Sequence, residues 1–473
     1  MNNQPFFLVS FVLLSCLTLL APLSPVTAAD RPPNILFIMV DDLGPEWISS
    51  SGAELITTPR IDLLASGGMS FTNAYSMPQC TPTRATLLTG QYPFRHGWCN
   101  HWDVPRWGAG CHFDWKHNTS FATILKSAGY VSCVVGKWQI NDFRVQPLAL
   151  KHHGFDRWCM WTGFESQNPP SGKRYWDPYI YTDRTPSKTY EGQFGPDIFT
   201  DYLIDFMKEN RDRPMLMYFP MALTHGPRVH TPDHPEVTSK EDKHHAMVLY
   251  TDKLVGRLVD TLEELKLRED TYIFFTTDNG TAGGIRGRMD GREVRGGKGK
   301  LTENGPRQPF IVNCPGRVPA GIETDTLTDF TDMLPTFAEL AGATLPTDLV
   351  LDGYSIAKVI QGKRKDTARE WMLAMGFGAA ALDEKGVHPR QEFTNRVIRD
   401  KQYKVFVIDS QITRLHDLRK DPIEAKNLLT STDPAHRSAL KRFQKVLESF
   451  PIKDARPRYD PTPPQPWDRK PER

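Results

Sequence analysis

From residue 34 to about 345, short unbroken apolar runs alternate with segments whose apolar residues recur at helical spacing. Ile35 to Val40 is a continuous run, the pattern of a strand covered on both faces, and Val131 to Val135, broken only by Ser132, reads as another buried strand. Met215 to Phe219, Tyr272 to Phe275 and Phe310 to Val312 read the same way. Thr58-Pro59 is an N-cap and first-turn pair for a helix running to Gly67, and Ser120 to Ala128 is a second helix. Ile198, Phe199, Tyr202, Leu203, Phe206 and Met207 make a helical stripe, and Met247 to Leu265 repeats apolar residues at the same period. The alternation predicts an α/β fold: a large, mostly parallel sheet flanked by helices.

The pattern changes around Leu345-Pro346. Val397-Ile398 and Tyr403 to Ile408 read as antiparallel strands joined by a turn at Asp400-Lys401, and Ala435 to Leu447 reads as a helix. This predicts a smaller C-terminal α+β domain containing an antiparallel sheet. The tail from Arg456 is rich in Pro and charge, as in an extended strap. The organisation expected is a signal peptide over 1–29, a catalytic domain over 30–345, a C-terminal subdomain over 346–455 and a Pro-rich tail over 456–473.

The first 29 residues carry no acidic or basic side chain, and the apolar run from Phe6 to Leu20 precedes a small-residue site at Val26-Thr27-Ala28. Such a segment is a secretory signal, too short to span a bilayer, so the protein is expected to be exported. Leu13-Leu14-Ser15-Cys16 offers a lipoprotein site as the lesser alternative. No later stretch has the length and apolarity of a membrane span. A net charge of +2 gives no case for a nucleic-acid partner. Of the seven cysteines, Cys80, Cys99, Cys111, Cys133, Cys159 and Cys314 remain after export, at spacings that specify no disulfide and no zinc site.

Candidate chemistry collects where strands end, the place where open α/β sheets bind ligands. The first strand ends in Asp41-Asp42, the second buried run in Gly136-Lys137, and the Tyr272 strand in Asp278-Asn279; the Met215 strand leads to His225. Singly, each is more simply a cap, a turn or a solvated charge; together they converge on one sheet edge. Asp41, Asp42, Asp278 and Asn279 offer only oxygen ligands, the set for a hard cation, Ca²⁺ or Mg²⁺. Lys137, His225 and Lys298 add positive charge and proton donors around an anionic substrate. Cys80 precedes a helix expected to start near Pro82, with Arg84 one turn in; these residues alone make Cys80 a thiolate candidate and no more.

Cys80-Thr81-Pro82-Thr83-Arg84, followed by Leu87-Leu88-Thr89-Gly90, Tyr92-Pro93 and His96-Gly97, resembles the signature of the type I, formylglycine-dependent sulfatases, of the alkaline-phosphatase-like superfold. The likeness extends through Asp41-Asp42-Leu43-Gly44, Gly136-Lys137-Trp138, His225, Asp278-Asn279-Gly280, Gly296-Gly297-Lys298-Gly299, Asn304 to Pro309 and Thr331 to Thr336, to Leu415-His416-Asp417-Leu418, Asp421-Pro422 and Asn427-Leu428. It implies that Cys80 is converted to formylglycine by a formylglycine-generating enzyme. It also implies that Asp41, Asp42, Asp278 and Asn279 hold a cation, usually calcium. Arg84 and Lys137 would hold the nucleophile in place, while Lys298 and His225 orient the sulfate and protonate the departing alcohol. The expected activity is hydrolysis of sulfate esters of a small molecule or glycan. A phosphodiesterase or phosphonate hydrolase of the same superfold, and a catalytically silent binder of sulfated glycans, are the competing readings. One position departs from the pattern: the family usually has His two residues after the Lys of Gly-Lys-Trp, and this chain has Gln139, which cannot take up a proton. Trp98 to Trp115 and Trp158 to Trp176, rich in aromatic and basic residues, are the expected specificity loops.

Overall fold

In the computed structural model the described residues are Met1 and residues 31–101, 112–162, 173–376, 378–383 and 386–458. The proposed signal segment, the tail beyond 458, Cys16, Cys111 and the central parts of both candidate specificity loops lie outside them. One sheet organises the chain. Its strands are β1 (Asn34–Val40), β2 (Met69–Phe71), β3 (Val131–Lys137), β4 (Arg157–Trp161), β5 (Tyr179–Thr182), β6 (Lys188–Thr189), β7 (Met215–Pro220), β8 (Thr271–Thr277), β9 (Phe310–Asn313) and β10 (Ile322–Thr324). Their spatial order is β10-β2-β9-β8-β1-β7-β3-β4-β5-β6.

The centre, β8-β1-β7-β3-β4, is parallel throughout. Every residue of β1, β3, β7 and β8 is buried, as unbroken apolar runs require. Along β1 the side chains alternate between two cores. Ile35, Phe37 and Met39 enter one with Leu87, Phe121, Leu125 and Phe337; Leu36, Ile38 and Val40 enter the other with Ile61, Phe199, Leu203, Leu254 and Leu258. The first group comes from α2 (Cys80–Thr89), α3 (Phe121–Ser127) and α6 (Met333–Ala341). The second comes from α1 (Pro59–Ser66), α4 (Gly195–Glu209) and α5 (Lys240–Glu264). Helices therefore cover both faces.

The sheet is mixed at its edges. β9 runs antiparallel to β8 and to β2, and β5 antiparallel to β4. Two local expectations shift. Thr58 makes no side-chain cap on α1; its hydroxyl bonds Ser49 Oγ at 2.8 Å. α5 begins at Lys240, well before Met247, because Ser239 caps it by accepting from Asp242 N at 3.0 Å and Glu241 and Asp242 sit in its first turn.

From Pro32 onward the chain forms one compact unit. Its C-terminal part carries an antiparallel sheet of β11 (Met372–Met375), β12 (Arg396–Arg399), β13 (Tyr403–Ile408) and β14 (Gln411–Asp417), in that order. The β12–β13 turn is held by Asp400 Oδ1, which accepts from Gln402 N at 2.8 Å and Tyr403 N at 2.6 Å. α7 (Pro434–Glu448) packs Ala439 and Phe443 on Tyr403, Val405 and Leu415.

This sheet reaches the main one through a buried charge cluster. Lys404 Nζ, fully buried, lies 2.9 Å from Glu303 Oε1 and 2.8 Å from Glu424 Oε1, and Tyr75 OH donates to Glu303 Oε2 at 2.5 Å. Glu303 sits in the turn that follows Lys298. The end of that turn, Gly305 O, accepts from Gly280 N at 2.8 Å. Lys404→Met should therefore take the cation from Glu424, while Glu303 keeps Arg399 Nη1 at 3.4 Å, and cost about 3–5 kcal/mol, read as a lower midpoint in urea unfolding.

Candidate active site

β1 and β8 lie side by side in register, Val40 opposite Thr277, so the residues that follow them emerge together. Asp278 N donates to Val40 O at 2.9 Å, and Asp41 N donates to Leu223 O at 2.7 Å. Asp42 turns back with φ 60°, a left-handed conformation that Asp tolerates better than most residues. Its N–H donates to Asp278 Oδ1 at 3.2 Å. Asp41, Asp42, Asp278 and Asn279 are all buried.

Cys80 occupies the first turn of α2, behind an extended N-cap at Gln79. The orphan N–H groups and positive end of the helix dipole surround it there. Thr83 Oγ1 anchors that turn, donating to Asp278 O at 2.8 Å. The Cys80 sulfur lies 3.8 Å from Asp41 Oδ1 and 3.8 Å from Lys137 Nζ. Lys137 reaches it from the end of β3, where Gly136 at φ 111° leaves no room for a Cβ against Pro220 O. Lys137 Nζ also pairs with Asp41 Oδ2 at 2.7 Å. Arg84 ties the elements together: Nη1 donates to Lys137 O at 2.6 Å, and Nη2 to Asp278 Oδ2 at 2.8 Å and Asp41 Oδ2 at 3.3 Å.

The open side is lined by Lys298 and His225, both partly exposed. Lys298 Nζ lies 2.7 Å and 2.9 Å from the two Asp42 oxygens, and His225 Nε2 lies 3.7 Å from Asp42 Oδ2. Ligand atoms of Asp41, Asp42, Cys80 and His225 all fall within 4.8 Å of one another. The structure thus brings together all nine catalytic and metal-ligand candidates: Asp41, Asp42, Cys80, Arg84, Lys137, His225, Asp278, Asn279 and Lys298.

Electrostatics separates the groups. Burial pushes the Asp41 carboxyl up, but Lys137, His225, Arg84 and Lys298 outweigh it and hold the group well below the usual carboxylate range. Burial, and then the negative Asp41, push Asp278 up against the pull of Arg84. Burial also pushes the Cys80 thiol well above its ordinary value, more than Lys137 and Lys298 offset. An unmodified Cys80 is therefore a thiol and a poor nucleophile, which argues against the plain thiolate reading.

The donor set fits a hard cation on one further observation. Asn279 Nδ2 donates to Asp42 Oδ1 at 2.8 Å, yet its Oδ1 is buried with no hydrogen-bond partner beside three carboxylates. A buried carbonyl oxygen left so is costly unless something else binds it. Lys137, Arg84 and Lys298 meanwhile lie paired with the very carboxylates a cation would take.

Gln139 is buried, with φ 73°. Of the histidines that could stand in for it, His225 has a ring nitrogen within 4.8 Å of the Cys80 sulfur, while His117 Nδ1 is bonded to Asp114. Sequence reasoning missed Arg174 and Tyr175. Arg174 Nη1 lies 3.1 Å from His225 Nδ1, and its guanidinium stacks 4.1 Å over Trp161. Tyr175 OH lies 2.6 Å from Ala222 O and 2.6 Å from His225 O. Both lie inside the expected Trp158 to Trp176 loop, but no motif marks them. Cys80, Cys99, Cys133, Cys159 and Cys314 are free and buried.

Comparison with known proteins agrees in kind. The family profile described as Sulfatase matches residues 33–343, and the one described as N-sulphoglucosamine sulphohydrolase, C-terminal, matches 297–452. The N-acetylgalactosamine-6-sulfatase of Canis lupus familiaris is 33% identical over 71% of this chain and 67% of its own length. Arylsulfatase A of Homo sapiens is 30% identical over 90% of each chain. Among solved structures, Ps i-CgsB in complex with k-i-k-neocarrahexaose superposes with a TM-score of 0.73 at 24% identity, over 89% of this chain and 94% of that one. The PsFucS1 sulfatase from Pseudoalteromonas sp. superposes with a TM-score of 0.68 at 21% identity, over 90% and 92%.

Proposed function

The chain belongs to the sulfatase family and is a sulfuric ester hydrolase, and on that premise we propose that it works through formylglycine made from Cys80, with a divalent cation held by Asp41, Asp42, Asp278 and Asn279. The observation that carries this reading is the position of the Cys80 sulfur, in the first turn of α2 and 3.8 Å from both Asp41 and Lys137, with its thiol pushed up. A thiol so placed is inert, whereas the hydrated aldehyde supplies a hydroxyl nucleophile and a second hydroxyl whose loss of a proton breaks the bond from carbon to the sulfated oxygen, expelling sulfate and restoring the aldehyde. The cation, calcium by family likeness with magnesium the alternative, supplies Lewis acidity and lowers the pKa of a bound hydroxyl.

The chain's own residues do the rest. Arg84 fixes the geometry of the site by bridging Lys137, Asp41 and Asp278. Lys137 and Lys298 would bring positive charge to the sulfate. His225 and Lys298 orient the ester and deliver a proton to the departing alcohol. The substrate proposed is a sulfated glycan or aryl sulfate. Conversion of Cys80 calls for a formylglycine-generating enzyme, and the amino-terminal segment calls for export. Among the described residues no helix is long and apolar enough to cross a membrane.

Peptide mass spectrometry of active protein tests the central step. The peptide carrying position 80 is expected to be lighter than the cysteine form, as aldehyde, or to appear as its hydrate, and Cys80→Ala should be inactive. Full activity from protein whose position 80 is wholly thiol would overturn the mechanism.

A further inference from the structure

One cation beside the site has no part in the chemistry above. Arg228 lies three residues beyond His225 and folds back over Gly226, its Nη1 3.5 Å from where a Cβ on that glycine would stand. Its Nε and Nη2 are both shut off from solvent, and neither has a hydrogen-bond partner among the described residues. Burial lowers its pKa, and the acidic groups acting on it are Asp42, Tyr175 and Glu241. Its place is set by the chain: the guanidinium lies over Gly226, the residue next to His225, whose Nε2 is 3.7 Å from Asp42 Oδ2 and whose carbonyl oxygen is 2.6 Å from Tyr175 OH. Arg228 therefore sits on the His225 flank of the site.

Among the described residues Nε and Nη2 find no acceptor, and Asp42, Tyr175 and Glu241 act on the guanidinium without a hydrogen bond to either atom. Asp42 is engaged by Lys298 and Asn279. His244 of α5 is wholly buried, edge-on to Trp47 at 4.6 Å, with both ring nitrogens unpartnered. Burial, and then Arg228, hold His244 neutral, its pKa pushed down to about 3. A guanidinium is always charged and offers its donors in a rigid fork matched to carboxylate or sulfate. Leaving two of those donors buried and unmade is costly, and ordinary structural arginines avoid it.

The scissile sulfate already has Lys137, Lys298 and His225. We propose that Arg228 binds a second anionic group, a carboxylate or a further sulfate, carried on the alcohol part of a sulfated saccharide. The inference rests on the sulfatase reading and narrows its substrate to glycans with more than one negative charge.

Titration calorimetry and turnover together test it, on full-length wild type, Arg228→Met and Arg228→Lys. The probes are three disaccharides: one neutral with a single sulfate, one with a uronate and a sulfate, and one neutral with two sulfates. Wild type is expected to bind at least one doubly charged probe about tenfold or more tighter than the singly sulfated one, as a charge-assisted pair would give. Which doubly charged probe is preferred tells carboxylate from sulfate. Arg228→Met should erase the preference, and Arg228→Lys should keep part of it. Binding of the singly sulfated probe and turnover of 4-nitrophenyl sulfate should stay within about twofold of wild type. The melting temperature should hold or rise, because a half-buried guanidinium with two unmade donors is removed. No preference in wild type, a preference that survives Arg228→Met, or equal losses on all three probes would overturn the proposal. Absence of 4-nitrophenyl sulfate turnover in wild type would count against the sulfatase reading instead, and the calorimetry would still decide Arg228.

Discussion

Asp278→Asn is expected to leave the protein folded and remove nearly all of its activity. The fold should survive because the asparagine keeps the shape of the side chain. Thr83 bonds the main-chain oxygen of residue 278, and Arg84 retains Asp41 at 3.3 Å. The chemistry should fail because one negative oxygen is lost from the proposed hard-cation site of three carboxylates and an amide. Loss of one charge-stabilising group at a reacting centre typically costs about 10²–10³ in rate, and loss of the cation itself should cost at least as much. Chelation of the wild type should reproduce the variant's loss, and calcium or magnesium should restore wild type far better than the variant. Chelation should also lower the melting temperature, since a cation present at 100 times its dissociation constant stabilises the native state by about 2.7 kcal/mol. Undiminished turnover after exhaustive chelation, or in Asp278→Asn, would dispose of the cation site.

Much of this site was legible because the chemistry sits where strands end. Buried central strands announce themselves as apolar runs, so the runs ending at Val40, Val135 and Phe275 mark the carboxyl edge to within two residues of the strand ends at Val40, Lys137 and Thr277. The edge strands were not legible. Met69–Phe71 and Ile322–Thr324 are three residues each, and the latter is largely exposed, so neither makes an apolar run. The direction of β9 was hidden too. A parallel neighbour needs a crossover, and the segment between β8 and β9 instead forms the turns that carry Lys298, a fact of topology rather than periodicity. The first two turns of α5, Lys240 to Ala246, are charged and His-rich, and only their cap and dipole partners make them helical. Arg174, Tyr175 and Arg228 were invisible for a different reason: what matters is which distant groups they meet, and single-chain pattern carries no such information. Cys80 lies between these cases. Its motif marked it, but the state of its thiol depends on burial.

The second large effect is expected at position 139. On the formylglycine mechanism proposed above, turnover has two halves, release of the alcohol and release of sulfate, and a proton is removed near residue 80 in the second. The family pattern puts His two residues after Lys137; here a buried Gln with φ 73° occupies the place. Its side-chain amide takes no proton at any useful pH. General-base help is typically worth about 10²–10⁴ in rate. Without it, release of sulfate should limit the enzyme, and 4-nitrophenyl sulfate should give a burst of about one nitrophenol per site before a slow steady rate. Gln139→His should be tolerated, because His is among the residues enriched at positive φ. It should shrink the burst and raise the steady rate by at least about tenfold, the low end of what a positioned base gives. His225, within 4.8 Å of the Cys80 sulfur, is the group best placed to have taken over the proton. In that event His225 serves as acid and then base, there is no burst, and Gln139→His changes little. Stopped-flow traces of the two proteins separate these outcomes: an absent burst together with an unmoved steady rate would show that position 139 does not limit turnover.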